Sequence, residues 1–107
     1  MARIIDIEFN DRKYTIEYNR KSVVAFTTMP KNESDAIDVA IKLIRCGLMK
    51  HHEKDTPSDD EILGWIMAMG EDAKAFVEAL QDAVKDVIET IKADKEQSGF
   101  KWGVRTN

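Results

Sequence analysis

His51, His52 and Glu53 stand together in the chain and come nearest, by residue type, to a metal site. Adjacent residues on a helix point about 100° apart, so neighbouring imidazoles do not easily share one ion. No third ligand follows at a zinc-site spacing. A polar helix end, with histidines complementing the dipole, is the simpler reading. Asp59, Asp60 and Glu61 could be paired carboxylates for acid–base work, but they follow Ser58 as the acidic first turn of a capped helix would. Cys46 needs a neighbouring base to act as a nucleophile. It sits in an apolar helical run, where a small buried thiol is the ordinary role. There is no glycine-rich phosphate loop and no Ser-His-Asp pattern. The residues therefore predict no catalytic residue, no metal and no cofactor; the chain is not expected to be an enzyme.

Bulk properties narrow the function classes further. The chain has 107 residues, 16 basic and 20 acidic, for a net charge of −4. Affinity for nucleic acid rests on phosphate neutralisation, and the basic excess this needs is missing. Arg3, Arg12, Lys13, Arg20 and Lys21 gather near the N-terminus, as charged residues commonly do on the wet face of a strand. A single cysteine rules out an internal disulfide. The opening apolar run is too short for a signal peptide, and no stretch approaches the roughly 18 apolar residues of a membrane span. A soluble intracellular protein without membrane partners is expected, folding as a single domain over 1–107.

The elements that position these residues begin with "IIDIEFNDRKYTIEY". Ile5, Ile7 and Phe9 alternate with Asp6, Glu8 and Asn10, and Tyr14, Ile16 and Tyr18 alternate with Thr15 and Glu17. Period-two alternation on both sides of a polar turn predicts a β-hairpin over 4–18. A loop at Asp11-Arg12 sets Phe9 opposite Tyr14. A loop at Asn10-Asp11 has better turn chemistry and slides the pairing by two residues. Both registers keep the apolar faces together, so the pattern leaves them open.

A helical body over 20–97 follows. Asn19 or Ser22 can cap a short helix carrying Val23, Val24 and Phe26, which Pro30 ends. Ile37, Ile41, Ile44 and Leu48 form the stripe of a second helix capped by Ser34. Val39, Leu43 and Cys46 widen it, so that helix is either central or contacted on two sides. "SDDEILGWIMAMG" carries a capping box at Ser58 and Glu61, a stripe of Ile62, Trp65, Ile66 and Met69, and Gly70 as C-cap. Ala73, Phe76, Val77, Leu80, Val84, Val87, Ile88 and Ile91 keep helical phase in the longest element, which is expected to anchor the fold and to end at Gly99. The fold class is α+β: an N-terminal hairpin packed on a small bundle of about four helices, with an aromatic tail over 98–107. Trp65, Met67, Met69, Phe100 and Trp102 are the candidate partner contacts. Met67 falls off its helix stripe, and exposed methionine and aromatic side chains make adaptable interfaces.

Four features in order carry a family resemblance: "KYTIEYNRKSV", a helix ending in "KHH", a capped "SDDEILGWIMAM", and a long acidic amphipathic helix. Together they resemble the small tail assembly chaperone-like proteins of long-tailed bacteriophages and prophages of Gram-positive hosts. The likeness is strongest from Ile7 to Val23; beyond it "FTTMPKNES" stands where the family has an acidic residue and a glycine-containing turn. The resemblance implies a non-enzymatic role in the cytoplasm of a bacterial host. The implied clients are the tape measure protein and tail tube subunits, with a second copy of the chain as a further partner. It also implies apolar contact, through a groove that accepts a client helix or a hairpin edge that accepts a strand. Two alternatives stand beside it: on the same resemblance, a small phage regulator or inhibitor binding a host protein or nucleic acid, and, ranked last, an enzyme or metalloprotein using His51, His52 and the acidic cluster.

Overall fold

The computed structural model describes residues 4–97, with Gly103 and Arg105. Its elements are β1 (Ile4–Phe9), β2 (Arg12–Glu17), α1 (Arg20–Thr28), α2 (Ala36–Leu48), α3 (Asp59–Met69), a short 3-10 turn (Gly70–Asp72) and α4 (Ala73–Gln97). The arrangement is mixed α+β, with an antiparallel hairpin first and helices after it.

Asn10 and Asp11 both take positive φ, at 51° and 64°. A two-residue loop in this conformation matches the right-handed twist of the flanking strands, and asparagine and aspartate tolerate it better than arginine. This selects the Asn10-Asp11 register: Phe9 faces Arg12, Ile7 faces Tyr14 and Ile5 faces Ile16.

The hairpin does not sit squarely on the helices. Tyr14, Ile16 and Tyr18 of the second half are buried, whereas Ile5, Ile7 and Phe9 of β1 are only half-buried. β2 lies over α2, and β1 overhangs. Close approach of β2 to α2 depends on Gly47, where a Cβ would come within 2.5 Å of Ile16 Cγ2 and 2.8 Å of Tyr18 Cζ. The Tyr18 hydroxyl donates to the Leu43 carbonyl at 2.7 Å, and burial pushes its phenol pKa upward.

Asn19 and Ser22 share the start of α1. The Asn19 side chain accepts from the Ser22 backbone N–H at 2.9 Å, and Ser22 Oγ accepts from the Asn19 N–H at 2.7 Å. This reciprocal box satisfies two donors that a helix start leaves open. The β-branched Thr27 and Thr28 fit the last turn by donating their hydroxyls to the Val24 carbonyl.

α2 is the central helix, touching β2, α1, α3 and α4. Ile41, Leu43, Ile44, Cys46 and Leu48 are all buried, and each large one contributes about 1.5–3 kcal/mol. Its N-cap is Asp35, not Ser34. The Asp35 carboxylate accepts from the Ile37 N–H at 3.0 Å and the Asp38 N–H at 3.4 Å. Ser34 is diverted: its hydroxyl donates to Asn32 Oδ1 at 2.7 Å. Ile37 sits in the exposed first turn, above the core.

α3 starts at Ser58, whose side chain accepts from the Glu61 N–H at 3.2 Å. Gly70, at φ 56°, ends it and turns the chain into α4. α4 keeps the expected phase but anchors less than its length suggests. Leu80 and Ala83 are buried, while Phe76, Val77, Val84, Val87, Ile88 and Ile91 are half-buried. The sealed core is built mainly from β2 and α2, with Ile62 and Trp65 of α3. The expected stop at Gly99 lies outside the described residues.

Candidate functional site

The sequence placed chemistry first on His51, His52 and Glu53, and the structure sends the two imidazoles to different places. His51 Nε2 lies 3.1 Å from Glu17 Oε1. His52 Nε2 accepts from the Thr15 backbone N–H at 2.9 Å, and its Nδ1 lies 3.1 Å from an Asp55 oxygen. Since Nε2 is the acceptor, the proton is on Nδ1 and Asp55 receives it. The ring also packs tilted against Tyr14, with centroids 5.1 Å apart. Both histidines tie the end of α2 to β2. Among the described residues no group of three or more His, Cys, Asp or Glu is placed to hold a metal ion.

The acidic start of α3 is also engaged structurally. Asp59 accepts from Lys42 Nζ and Arg45 Nη1, each at 3.0 Å, and Arg45 also donates to the Pro57 carbonyl at 3.2 Å. These contacts, the Lys42 bond foremost, hold the Asp59 carboxyl below its usual range against the opposing effect of burial. A hollow of about 600 Å³ is lined by this network with Met29, Pro30, Ser58 and Asp60, and in it Lys42 and Arg45 are both paired with Asp59. Cys46 is fully buried, with Sγ 3.8 Å from Met29 Sδ. Burial pushes its thiol upward, which disfavours the thiolate a nucleophile requires.

The overhang of β1 creates the other feature. Beneath it runs a groove of about 380 Å³, walled by Ile7, Phe9, Trp65, Ala68, Met69 and Phe76, with Glu8 and Asp72 at its mouth. Each wall has a local cause. Alternation turns Ile7 and Phe9 inward from β1. Helical phase places Trp65 and Met69 four residues apart on α3. The break at Gly70 swings the chain so that Phe76, at the start of α4, faces back across the gap. Trp65 forms the floor: it is only 2 % exposed and packs on Tyr14 at 4.8 Å and Phe9 at 6.3 Å between ring centroids.

Of the five expected contacts, Trp65 and Met69 meet in this groove. Met67 is 70 % exposed but does not line it. Phe100 and Trp102 lie outside the described residues. Ile7, Phe9 and Phe76, which the pattern places on apolar faces but not among the partner contacts, pack against the core on one side and wall the groove on the other. The signal that could have found Phe9 is its place at the turn end of the outer strand, where cover from the helices runs out.

No protein-family model matches this sequence, and no curated protein or solved structure is significantly similar to it. Among the described residues no helix is long and apolar enough to cross a membrane.

Proposed function

We propose that this chain is a non-enzymatic phage or prophage tail assembly chaperone. It works in the cytoplasm of the bacterial host and binds the tape measure protein and tail tube subunits through apolar contacts. The observation that carries this reading is the open groove beneath β1, whose walls are apolar while the polar clusters elsewhere are engaged in structural bonds. A long, largely helical client with uncovered apolar surface aggregates before assembly unless that surface is masked. A groove of this chemistry masks it without a cofactor or a covalent step. Further along α4, Val77, Val84, Val87, Ile88 and Ile91 are also only half-buried.

The test is capture of the tape measure and tube proteins encoded beside this chain, using folded, purified protein as bait. Retention of either one through a wash at high salt is the expected result, because apolar contacts survive screening. Retention of neither overturns the proposal.

A further inference from the structure

The two outer edges of the hairpin are not equivalent. The tight turn makes Phe9–Arg12, Ile7–Tyr14 and Ile5–Ile16 the pairs that exchange main-chain hydrogen bonds. The alternate residues therefore point their N–H and C=O groups outward. On β2 that edge is blocked at its middle: the Thr15 N–H is bound by His52 Nε2 at 2.9 Å. On β1 it is open, since among the described residues the main-chain groups of Asp6 and Glu8 have no hydrogen-bond partner. No proline or bulge protects it, and the apolar groove lies directly beside it.

We infer that β1 accepts an extended segment of a partner protein as a third strand, its alternate apolar side chains entering the groove and its basic side chains meeting Glu8 and Asp72. This deepens the proposed client binding and rests on it for the identity of the partner. An added strand uses the open edge and the groove together, whereas a docked helix satisfies its own main chain and leaves the edge unused. Charge selects the occupant. Glu8 and Asp72 line the mouth, Asp6 and Glu71 adjoin them in the chain, and among the described residues no basic residue lines the groove. A second copy pairing through β1 would set Asp6 and Glu8 against the same two residues, and like charges facing across strands destabilise the pairing. A segment alternating apolar and basic residues meets both the walls and the rim.

The probe is an alternating Lys-Val peptide, added to the purified chain and followed by titration and amide hydrogen exchange. The expected result is binding that slows exchange at Asp6 and Glu8 by about tenfold or more, with no effect from an alternating Glu-Val peptide. Glu8→Pro removes an outward N–H that takes no part in the β1–β2 ladder, so it should abolish binding while the parent circular dichroism is kept. Glu8→Lys combined with Asp72→Lys leaves the strand free to form and should reverse the preference between the two peptides. The inference is overturned by no binding of Lys-Val, by binding without protection at Asp6 and Glu8, or by preference for an amphipathic Leu-Lys helix. Protection of the same amides in the protein alone as its concentration rises assigns the edge to a second copy and also overturns it. Client capture is read separately. If Glu8→Pro retains tape measure or tube protein as the parent does, the strand site falls and the chaperone reading stands. If the parent captures neither but the Lys-Val results hold, the chaperone reading falls and the edge site stands.

Discussion

His52, beyond the end of α2, accepts a hydrogen bond from the main-chain N–H of Thr15 in β2 at 2.9 Å. A helix-end side chain thereby completes the outer edge of a strand and covers the Tyr14 ring. His52→Ala leaves a part-buried donor without its partner. It is expected to lower unfolding stability by about 1–3 kcal/mol, measured as a shift in the urea midpoint.

Two helical glycines should respond to alanine with opposite signs. At Gly47 the new methyl meets Ile16 and Tyr18 inside normal contact distance, and the overlap outweighs the gain in helix propensity, so a loss of about 1–3 kcal/mol is expected. At Gly64, in α3, nothing lies within 4 Å of the added atom. Gly64→Ala should therefore stabilise by about 0.5–1 kcal/mol. Thermal melts of the two variants check both signs.

Glu17 gives the fold an acid-sensitive joint. Its carboxylate bonds Lys50 and then His51, and these partners lower its pKa. A carboxyl depressed in the folded state adds stability above its unfolded pKa of about 4.3, and that stability is lost as pH falls through the lower folded value. Asp59, lowered chiefly by Lys42, acts in the same direction. Stability should therefore fall below about pH 4, and Glu17→Gln should reduce that fall without removing it. Denaturant midpoints of the parent and Glu17→Gln between neutral and acid pH decide this.

The groove can be tested apart from the fold. Met69 is half-buried in its wall, while Val24, 51 % exposed on α1, is not among the groove's lining residues. Met69→Lys should weaken client capture by about tenfold or more, the cost of desolvating a charge in an apolar contact, and Val24→Lys should leave capture unchanged. Quantitative pull-down of the two variants beside the parent measures the difference.

Local features were the legible ones. Period-two alternation identifies the hairpin, and the pattern offers Asn19 or Ser22 as the α1 cap; the structure makes Asn19 the cap with Ser22 answering it from N3. The register was not legible from apolar pattern, because both choices conserve the faces; the positive φ of Asn10 and Asp11 decided it. The α2 cap went to Asp35 because Asn32 draws Ser34 away, a loop geometry that adjacent acceptors in a sequence do not encode. Periodicity named the apolar face of α4 but not how much of it the other elements cover. The groove was hidden for a related reason: it brings Phe9 to Phe76, and it exists because β1 overhangs its support. Trp65, singled out as a contact, is nearly sealed and serves from below.

A lone two-stranded ribbon is barely stable in water. Here its inner row rests on the bare backbone at Gly47, with the Tyr18 hydroxyl latched to Leu43. The ribbon cannot lift without exposing the middle of α2, so the two should breathe as one cooperative unit with a shared opening free energy. The rim that faces the outside is thus held in shape between encounters by the best-packed helix in the molecule.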